Sequence, residues 1–232
     1  MTKIPKIVHQ TSKSRCLHPK LIDATRRWQT LDDHSYYFHD DDALMTIFLQ
    51  EFPKFPHLAM IAKACLVDGT LRADVWRYLV IWVYGGMYAD LDSPPNHFTA
   101  KTIRPNDDAF FVVEHYGLLS QYFMAASPRH PVMYYALHVA LKNLLRAEDI
   151  GRVSAPGETG PHCLHQAFQL FMNDVGIILP NLNKGNVTAG YYRGTGGRSI
   201  TAVGKAKEQS NEIIIREVVE REEKKKCTLQ WA

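Results

Sequence analysis

Apolar and polar residues alternate along the chain, through about residue 180, in segments that predict strands and helices in turn. Short apolar runs predict strands at residues 6–10, 35–39, 87–92, 109–113, 122–126 and 177–180. Longer apolar segments predict helices at residues 19–30, 43–49, 71–84, 131–145 and 162–173. This alternation predicts an α/β fold with a mostly parallel central sheet flanked by helices, in one domain spanning residues 1–232.

The segment 71–84, LRADVWRYLVIWVY, is apolar on almost all sides and predicts a buried helix. Asp74 and Arg77 are three positions apart, so their side chains project from the same face of that helix. Buried unpaired charge costs several kcal/mol, roughly, so these side chains either pair or line a polar cavity. An intrahelical ion pair explains Asp74 and Arg77 but leaves Arg72 without a predicted partner.

Two carboxylates follow this helix in the stretch YGGMYADLDSPP, residues 84–95. Gly85 and Gly86 predict the helix end, and residues 87–92 then read as a short strand. Alternate strand residues share a face, so we expect Asp90 and Asp92 to point the same way with Leu91 buried behind them. Two carboxylates suit Mg²⁺ or Mn²⁺, which complete their coordination with water and substrate phosphates.

Asp40–Asp42 has the same spacing but a different context. These aspartates precede a helical segment, where a helix cap is the first interpretation and a ligand role the second.

The C-terminal part is harder to interpret. Residues 183–204 contain six glycines among aromatic residues and predict a mobile lid, while residues 212–226 fit a helix or a strand equally well.

Composition narrows the functional classes. A net charge of +3 on 27 basic and 24 acidic residues gives no basic surface typical of nucleic-acid binding. The longest apolar run, residues 78–84, is too short to cross a bilayer, and no signal peptide is apparent at the N-terminus. We therefore expect a cytoplasmic protein; a protein peripheral to a membrane and the catalytic part of an anchored or virus-encoded enzyme are the alternatives.

Three segments resemble a known family: IPKIVHQT at residues 4–11, LRADVWRYLVIWVYGGMYADLDS at 71–93, and TGP at 159–161. Together they are similar to the sugar transferases with a DXD motif that include the yeast outer-chain initiating mannosyltransferase. The middle segment also resembles the donor-site core of the large clostridial glucosylating toxins. The resemblance covers about the first 165 residues.

The resemblance implies a GT-A fold and a metal-dependent, retaining hexosyltransferase that uses GDP-mannose or a UDP-hexose and a glycan or protein hydroxyl as acceptor. It implies that Asp90 and Asp92 form the site for Mn²⁺ or Mg²⁺, with Asp92 the direct ligand and Asp90 contacting either the ribose or the metal. It further implies that Asp74 holds the donor sugar hydroxyls and that Arg77 is its basic partner facing the sugar or diphosphate.

The remaining implied roles concern the rim of the site. His9, Gln10 and Thr11 would border the nucleotide, and Arg72 would lie near the phosphates. Glu158, beside the TGP segment, is a candidate on the acceptor side.

The chain departs from the family where a late histidine and tryptophan commonly close the donor site. No histidine follows His165, and the late tryptophan is Trp231. The second hypothesis is therefore a catalytically weak protein that binds a nucleotide sugar. A metal phosphohydrolase is a third, less favoured because two carboxylates without clustered histidines make a poor dinuclear site.

Overall fold

A six-stranded sheet lies at the centre of the fold. The computed structural model describes residues 2–96, 98–113, 118–147, 150–174 and 190–194. Its strands are β1 (Ile7–Thr11), β2 (Ser35–His39), β3 (Gly86–Ala89), β4 (Ala109–Val113), β5 (Leu119–Ala126) and β6 (Gly190–Gly194). Its α-helices are α1 (Pro19–Gln29), α2 (Asp41–Phe48), α3 (Leu58–Cys65), α4 (Gly69–Tyr84), α5 (Pro131–Arg146), α6 (Ala155–Glu158) and α7 (Pro161–Asp174), with a 3₁₀ turn at Ile150–Arg152.

The sheet has the strand order β2-β1-β3-β5-β4-β6. β1 pairs in parallel with β2 and β3, whereas β5 and β6 run against their neighbours. The predicted α/β class is confirmed, and β1 to β4 all run in one direction. The sheet is nevertheless mixed, because β5 turns back directly after β4 and inserts between β3 and β4.

The two faces of the sheet pack against separate cores, as the two-residue period of strands requires. On β3, for example, Tyr88 belongs to the core that includes residues of α2, α3, α4, α5 and α7, whereas Met87 belongs to the core that includes Trp28 of α1. Helix α4 is buried continuously from Asp74 to Trp82, which explains its apolar sequence. No helix in the described ranges is long and apolar enough to cross a membrane.

Gly85 and Gly86 join α4 to β3 with φ angles of 67° and 93°, which side chains other than glycine rarely adopt. A Cβ on Gly86 would lie 2.6 Å from the Ile7 carbonyl oxygen, and a Cβ on Gly85 would lie 2.6 Å from Cδ of Pro128. The diglycine therefore lets β3 pass directly against β1, which the predicted helix end alone does not explain.

Several elements differ from prediction. The helices α3 and α6 were not predicted. Part of the predicted lid is β6, which pairs with β4 at the sheet edge. The predicted strand at residues 177–180, the rest of the lid, and residues 212–226 with Trp231 lie outside the described residues.

Candidate active site

Helix α4 supplies a buried ion pair, and this confirms that Asp74 and Arg77 share one face. Arg77 Nη2 lies 3.3 Å from Asp74 Oδ1, and the two side chains are 9% and 5% exposed. Burial raises the pKa of Asp74 to about 6, against the opposing effects of Arg77 and of the Thr159 hydroxyl. Asp74 is thus a carboxylate whose charge the fold disfavours, a property common among functional groups.

Arg77 connects this pair to the first aspartate of the DXD motif. Its Nη1 lies 3.3 Å from Asp90 Oδ1 and donates to the Gln121 carbonyl at 3.2 Å, while its guanidinium lies 4.6 Å from the centroid of the Tyr88 ring. Tyr88 also donates its hydroxyl to Asp90 Oδ1 at 2.6 Å. Burial raises the pKa of Tyr88, so this hydroxyl stays protonated and available as a donor.

The DXD motif itself lies beyond the strand, which corrects the predicted geometry. β3 ends at Ala89, the Asp90 amide makes a last ladder bond to the Tyr122 carbonyl, and the Ser93 amide closes a turn on the Asp90 carbonyl at 3.1 Å. Leu91 is only half-buried and Asp92 is exposed. The strand alternation that was expected to align Asp90 with Asp92 therefore does not reach Asp92.

The turn is fixed from both sides by side chains of earlier elements. The indole N–H of Trp28 donates to the Ser93 carbonyl at 2.7 Å. Gln10, fully buried at the end of β1, donates to the Ala89 and Asp90 carbonyls at 3.3 and 3.2 Å. These contacts place the carboxyl ends of β1 and β3 next to each other, where ligands of α/β sheets commonly bind.

His9 and Thr11, which flank Gln10, are held by β2 and the diglycine. His9 is buried, with Nδ1 3.4 Å from His39 Nε2 and Nε2 3.2 Å from the Gly85 carbonyl oxygen. Burial, followed by the neighbouring His39, lowers the pKa of His9 to about 3, so the imidazole is neutral at neutral pH. Thr11 donates its hydroxyl to the His39 carbonyl at 2.8 Å. A nucleotide-bordering role for these residues stays a prediction.

Arg72 has a partner that the sequence did not indicate. Its Nη1 lies 3.4 Å from Asp41 Oδ2, and its Nε donates to the Leu66 carbonyl at 3.1 Å. Asp40 caps α2 by accepting from the Ala43 amide at 3.1 Å and also accepts from Arg15 Nε at 2.9 Å. The second Asp-x-Asp motif thus supplies the predicted helix cap and, in addition, ion-pair partners for Arg15 and Arg72. A position of Arg72 near the phosphates stays a prediction.

The TGP segment lies against Asp74. Thr159 is fully buried and donates its hydroxyl to Asp74 Oδ2 at 2.8 Å. Glu158, the acceptor-side candidate, accepts through its carbonyl from Asn143 at 3.0 Å and lines a cavity of about 540 Å³ with Arg146 and Arg152. The structure thus brings Asp74, Arg77, Asp90 and Thr159 into one connected group and leaves Asp92 at its exposed edge.

The two motif carboxylates fit a hard divalent cation by their chemistry. Asp92 is exposed and, among the described contacts, accepts only from the Ser93 hydroxyl at 3.4 Å. The contacts described for the Asp90 carboxylate, with Arg77 and the Tyr88 hydroxyl, involve Oδ1. Within the described ranges, no three His, Cys, Asp or Glu side chains cluster as a metal site. A cation held here would take most of its ligands from water and phosphate, as Mg²⁺ and Mn²⁺ commonly do.

Sequence reasoning missed the contacts between residues that are far apart along the chain. Thr159 and Asp74 are 85 positions apart, and Gln10 and Asp90 are 80 apart. The TGP and IPKIVHQT segments were recognised as motifs, but their spacing carries no information about these contacts. The one signal available was that both segments place polar side chains beside apolar runs.

Comparison with known proteins extends this description. Residues 8–109 match the family model "Glycosyltransferase sugar-binding region containing DXD motif", a range that contains Asp74, Arg77, Asp90 and Asp92. The initiation-specific alpha-1,6-mannosyltransferase of Schizosaccharomyces pombe is 25% identical over 198 residues, which cover 73% of this chain and 49% of that protein. The mannosyl phosphorylinositol ceramide synthase CSH1 of Saccharomyces cerevisiae is 28% identical, covering 68% of this chain and 40% of that protein.

The chain spans about half the length, or less, of these curated relatives. Among solved structures, PaToxG glycosyltransferase aligns with a TM-score of 0.57 and 15% identity over 93% of this chain and 78% of that one. At that identity the likeness shows the fold. The predicted resemblance is confirmed: residues 8–109 match the DXD-containing sugar-binding region of glycosyltransferases, carried on a GT-A-like α/β fold.

Proposed function

We propose that this chain transfers a hexose from a nucleotide sugar to an acceptor hydroxyl with the help of a divalent cation. The observation that carries the proposal is the continuous contact from Asp74 through Arg77 to Asp90, placed where β3 ends and within the matched sugar-binding region. This contact brings the buried Asp74 carboxylate, the Arg77 guanidinium and the accessible DXD motif within a few ångströms of one another.

Each residue has a distinct task in this proposal. Asp74 accepts hydrogen bonds from hydroxyls of the donor sugar, because an ionised carboxylate is acceptor-only. Arg77 offsets part of the negative charge of Asp74 and Asp90 and fixes both carboxylates. Its own side chain is 9% exposed, so its main contacts are with protein. Gln10 and Trp28 hold the Asp90–Ser93 turn in place through its backbone carbonyls.

Asp90 and Asp92 would hold Mn²⁺ or Mg²⁺ in the proposed site. The cation, when bound, supplies positive charge that stabilises the negative charge developing on the departing nucleoside diphosphate. Retention of anomeric configuration belongs to the proposal because the Arg-Ala-Asp-x-x-Arg-Tyr and DXD segments resemble retaining transferases. We assign no nucleophile to this reaction.

Mannose is the first donor sugar to test, because one yeast relative is named a mannosyltransferase and the other the synthase of a mannosyl lipid. GDP-mannose and UDP-hexoses would be incubated with the protein, Mn²⁺ and candidate glycan or inositol phospholipid acceptors. We expect release of GDP or UDP, a glycosylated product, and loss of both with EDTA. Proton NMR of the new anomeric centre would test retention.

The matched variants are Asp92→Asn and Asp42→Asn, which make the same change in the two Asp-x-Asp motifs. Asp92→Asn is expected to raise the Mn²⁺ concentration needed for half-maximal turnover, and Asp42→Asn to leave it unchanged. Turnover that survives both EDTA and Asp92→Asn would contradict the metal assignment. Binding of a nucleotide sugar without any turnover would favour the second hypothesis, a catalytically weak nucleotide-sugar-binding protein.

A further inference from the structure

Thr159 is a fully buried side chain whose hydroxyl faces a charged group. The hydroxyl lies 2.8 Å from Asp74 Oδ2 and 3.3 Å from the Ala155 carbonyl oxygen. A hydroxyl has one proton, and bonds to ionised acceptors are shorter and stronger than neutral ones. The shorter contact, to Asp74, is therefore the principal hydrogen bond.

The backbone around Thr159 is itself held by two other elements. Its carbonyl accepts from the Tyr78 hydroxyl at 2.8 Å and from Gln121 Nε2 at 3.0 Å. Gln121 and Tyr78 also bond to each other. The following Gly160 leaves no room for a side chain, because a Cβ would lie 2.7 Å from the Ala155 carbonyl oxygen. Thr159 is thus fixed by α4, β5 and the tight segment that follows α6.

This arrangement leaves the Asp74 carboxylate with one orientation. Oδ1 faces Arg77 and Oδ2 faces Thr159, so a rotation of the carboxylate would break both contacts. A carboxylate oxygen can accept more than one hydrogen bond, so the orientation fixed by these two contacts also fixes the directions in which Asp74 can accept further hydrogen bonds. The Thr159 hydroxyl also lowers the pKa of Asp74, against the larger opposing effect of burial, and so favours the ionised form.

We infer that Thr159 is a positioning residue for recognition of the donor sugar: its hydroxyl fixes the orientation in which Asp74 receives the sugar hydroxyls. The inference rests on the proposed function, in which Asp74 contacts the sugar. It follows that the Thr159 hydroxyl contributes to how well the chain distinguishes a nucleotide sugar from the nucleoside diphosphate alone.

The variants that test this inference are Thr159→Val, which keeps the shape and removes the hydroxyl, and Thr159→Ser, which keeps the hydroxyl. Thr25→Val is the matched control, since Thr25 is also buried but donates its hydroxyl to the Leu21 carbonyl in α1. Should Thr159→Val fail to fold, Thr159→Ala allows the same comparison.

Affinities would be measured by calorimetry with Mn²⁺, for GDP-mannose against GDP and for UDP-glucose against UDP. Thr159→Val is expected to lower the affinity for the nucleotide sugar about 10-fold, because one charge-assisted hydrogen bond is lost. The affinity for the nucleoside diphosphate should fall less than about 2-fold. Thr159→Ser and Thr25→Val should keep the wild-type ratio. Equal losses for both ligands, or no rescue by serine, would overturn the inference, because a merely structural role affects both ligands alike.

A crystal structure of ligand-free Thr159→Val separates this inference from the proposed function. We expect the Asp74 carboxylate to rotate away from its wild-type orientation, whether or not the protein binds a sugar. An unchanged Asp74 would overturn the inference even in an active enzyme. A wild-type protein that binds neither nucleotide sugar would instead overturn the proposed function.

Discussion

Asp74 shows at the scale of one residue how this fold sustains an unfavourable charge. The carboxylate is 5% exposed and its pKa is raised by burial to about 6, yet the proposed role requires the ionised form. Arg77 and Thr159 offset part of the cost but not all of it. A group that is costly to the fold and useful to a ligand is expected at a functional site.

The first prediction concerns the pH dependence of stability. Since the pKa of Asp74 rises from 3.8 in the unfolded chain to about 6 in the folded one, the folded state binds the proton more tightly. The contribution of Asp74 to stability is therefore greatest below pH about 4 and falls as the pH rises through about 6. Asparagine cannot ionise, so Asp74→Asn should gain stability relative to wild type over the same range.

We expect the difference in free energy of unfolding, Asp74→Asn minus wild type, to increase by about 1 to 3 kcal/mol between pH 4 and pH 7. Urea unfolding at several pH values measures it. The same variant should lose transfer activity at every pH. A stability difference that does not change with pH would show that Asp74 is not the buried titrating group described above.

At the scale of elements, the turn after β3 depends on a side chain from α1. Trp28 stacks on Phe123, with ring centroids 5.7 Å apart, and donates its indole N–H to the Ser93 carbonyl. Trp28→Phe keeps an aromatic ring but removes the donor. We expect a loss of stability of about 0.5–1.5 kcal/mol and a higher Mn²⁺ requirement for activity, since the turn that carries Asp92 is held less firmly.

Urea unfolding and a Mn²⁺ titration of turnover measure these two effects. Trp82→Phe is the control, because the indole N–H of Trp82 has no hydrogen-bond partner among the described residues. That variant should leave the Mn²⁺ requirement unchanged. An equal shift in both variants would mean that loss of packing, and not the Ser93 contact, is responsible.

The diglycine between α4 and β3 gives a second prediction at this scale. Gly86→Ala places a Cβ 2.6 Å from the Ile7 carbonyl oxygen at a φ of 93°, and we expect a loss of more than about 2 kcal/mol. Gly69→Ala is the matched control: no atom lies within 4 Å of its Cβ, and alanine favours the helix by about 1 kcal/mol. Chemical denaturation of both variants measures the contrast, and similar stabilities would contradict the close approach of β1 and β3.

For the whole molecule, the sequence predicted local features better than distant ones. Periodicity located α4 and the Asp74–Arg77 pair because a helix and an (i, i+3) pair depend only on residues that are close in sequence. It could not locate the Thr159–Asp74 contact or the Arg72–Asp41 pair, because these contacts depend on the tertiary fold. The turn at Asp90–Ser93 was missed because β3 ends at Ala89, three residues before the end of the predicted strand at residue 92.

Binding of the donor should stabilise the whole molecule if the proposed site is correct. At a ligand concentration about 100 times Kd, the expected gain is about 2.7 kcal/mol, or a rise in Tm of about 5 to 10 °C. Differential scanning fluorimetry with Mn²⁺ and GDP-mannose or UDP-hexoses would measure it. Asp92→Asn should lose the part of the shift that requires Mn²⁺, whereas a shift independent of the cation would contradict the proposed role of the motif.

The 85-residue separation between Asp74 and Thr159 has a consequence for biosynthesis. At roughly 5 to 20 residues per second, the ribosome adds Thr159 about 4 to 17 s after Asp74. During that interval the nascent helix α4 carries a carboxylate that only Arg77, of its two side-chain partners, can contact. The contact proposed to orient Asp74 toward the sugar can therefore form only after the segment that contains the DXD motif has been made.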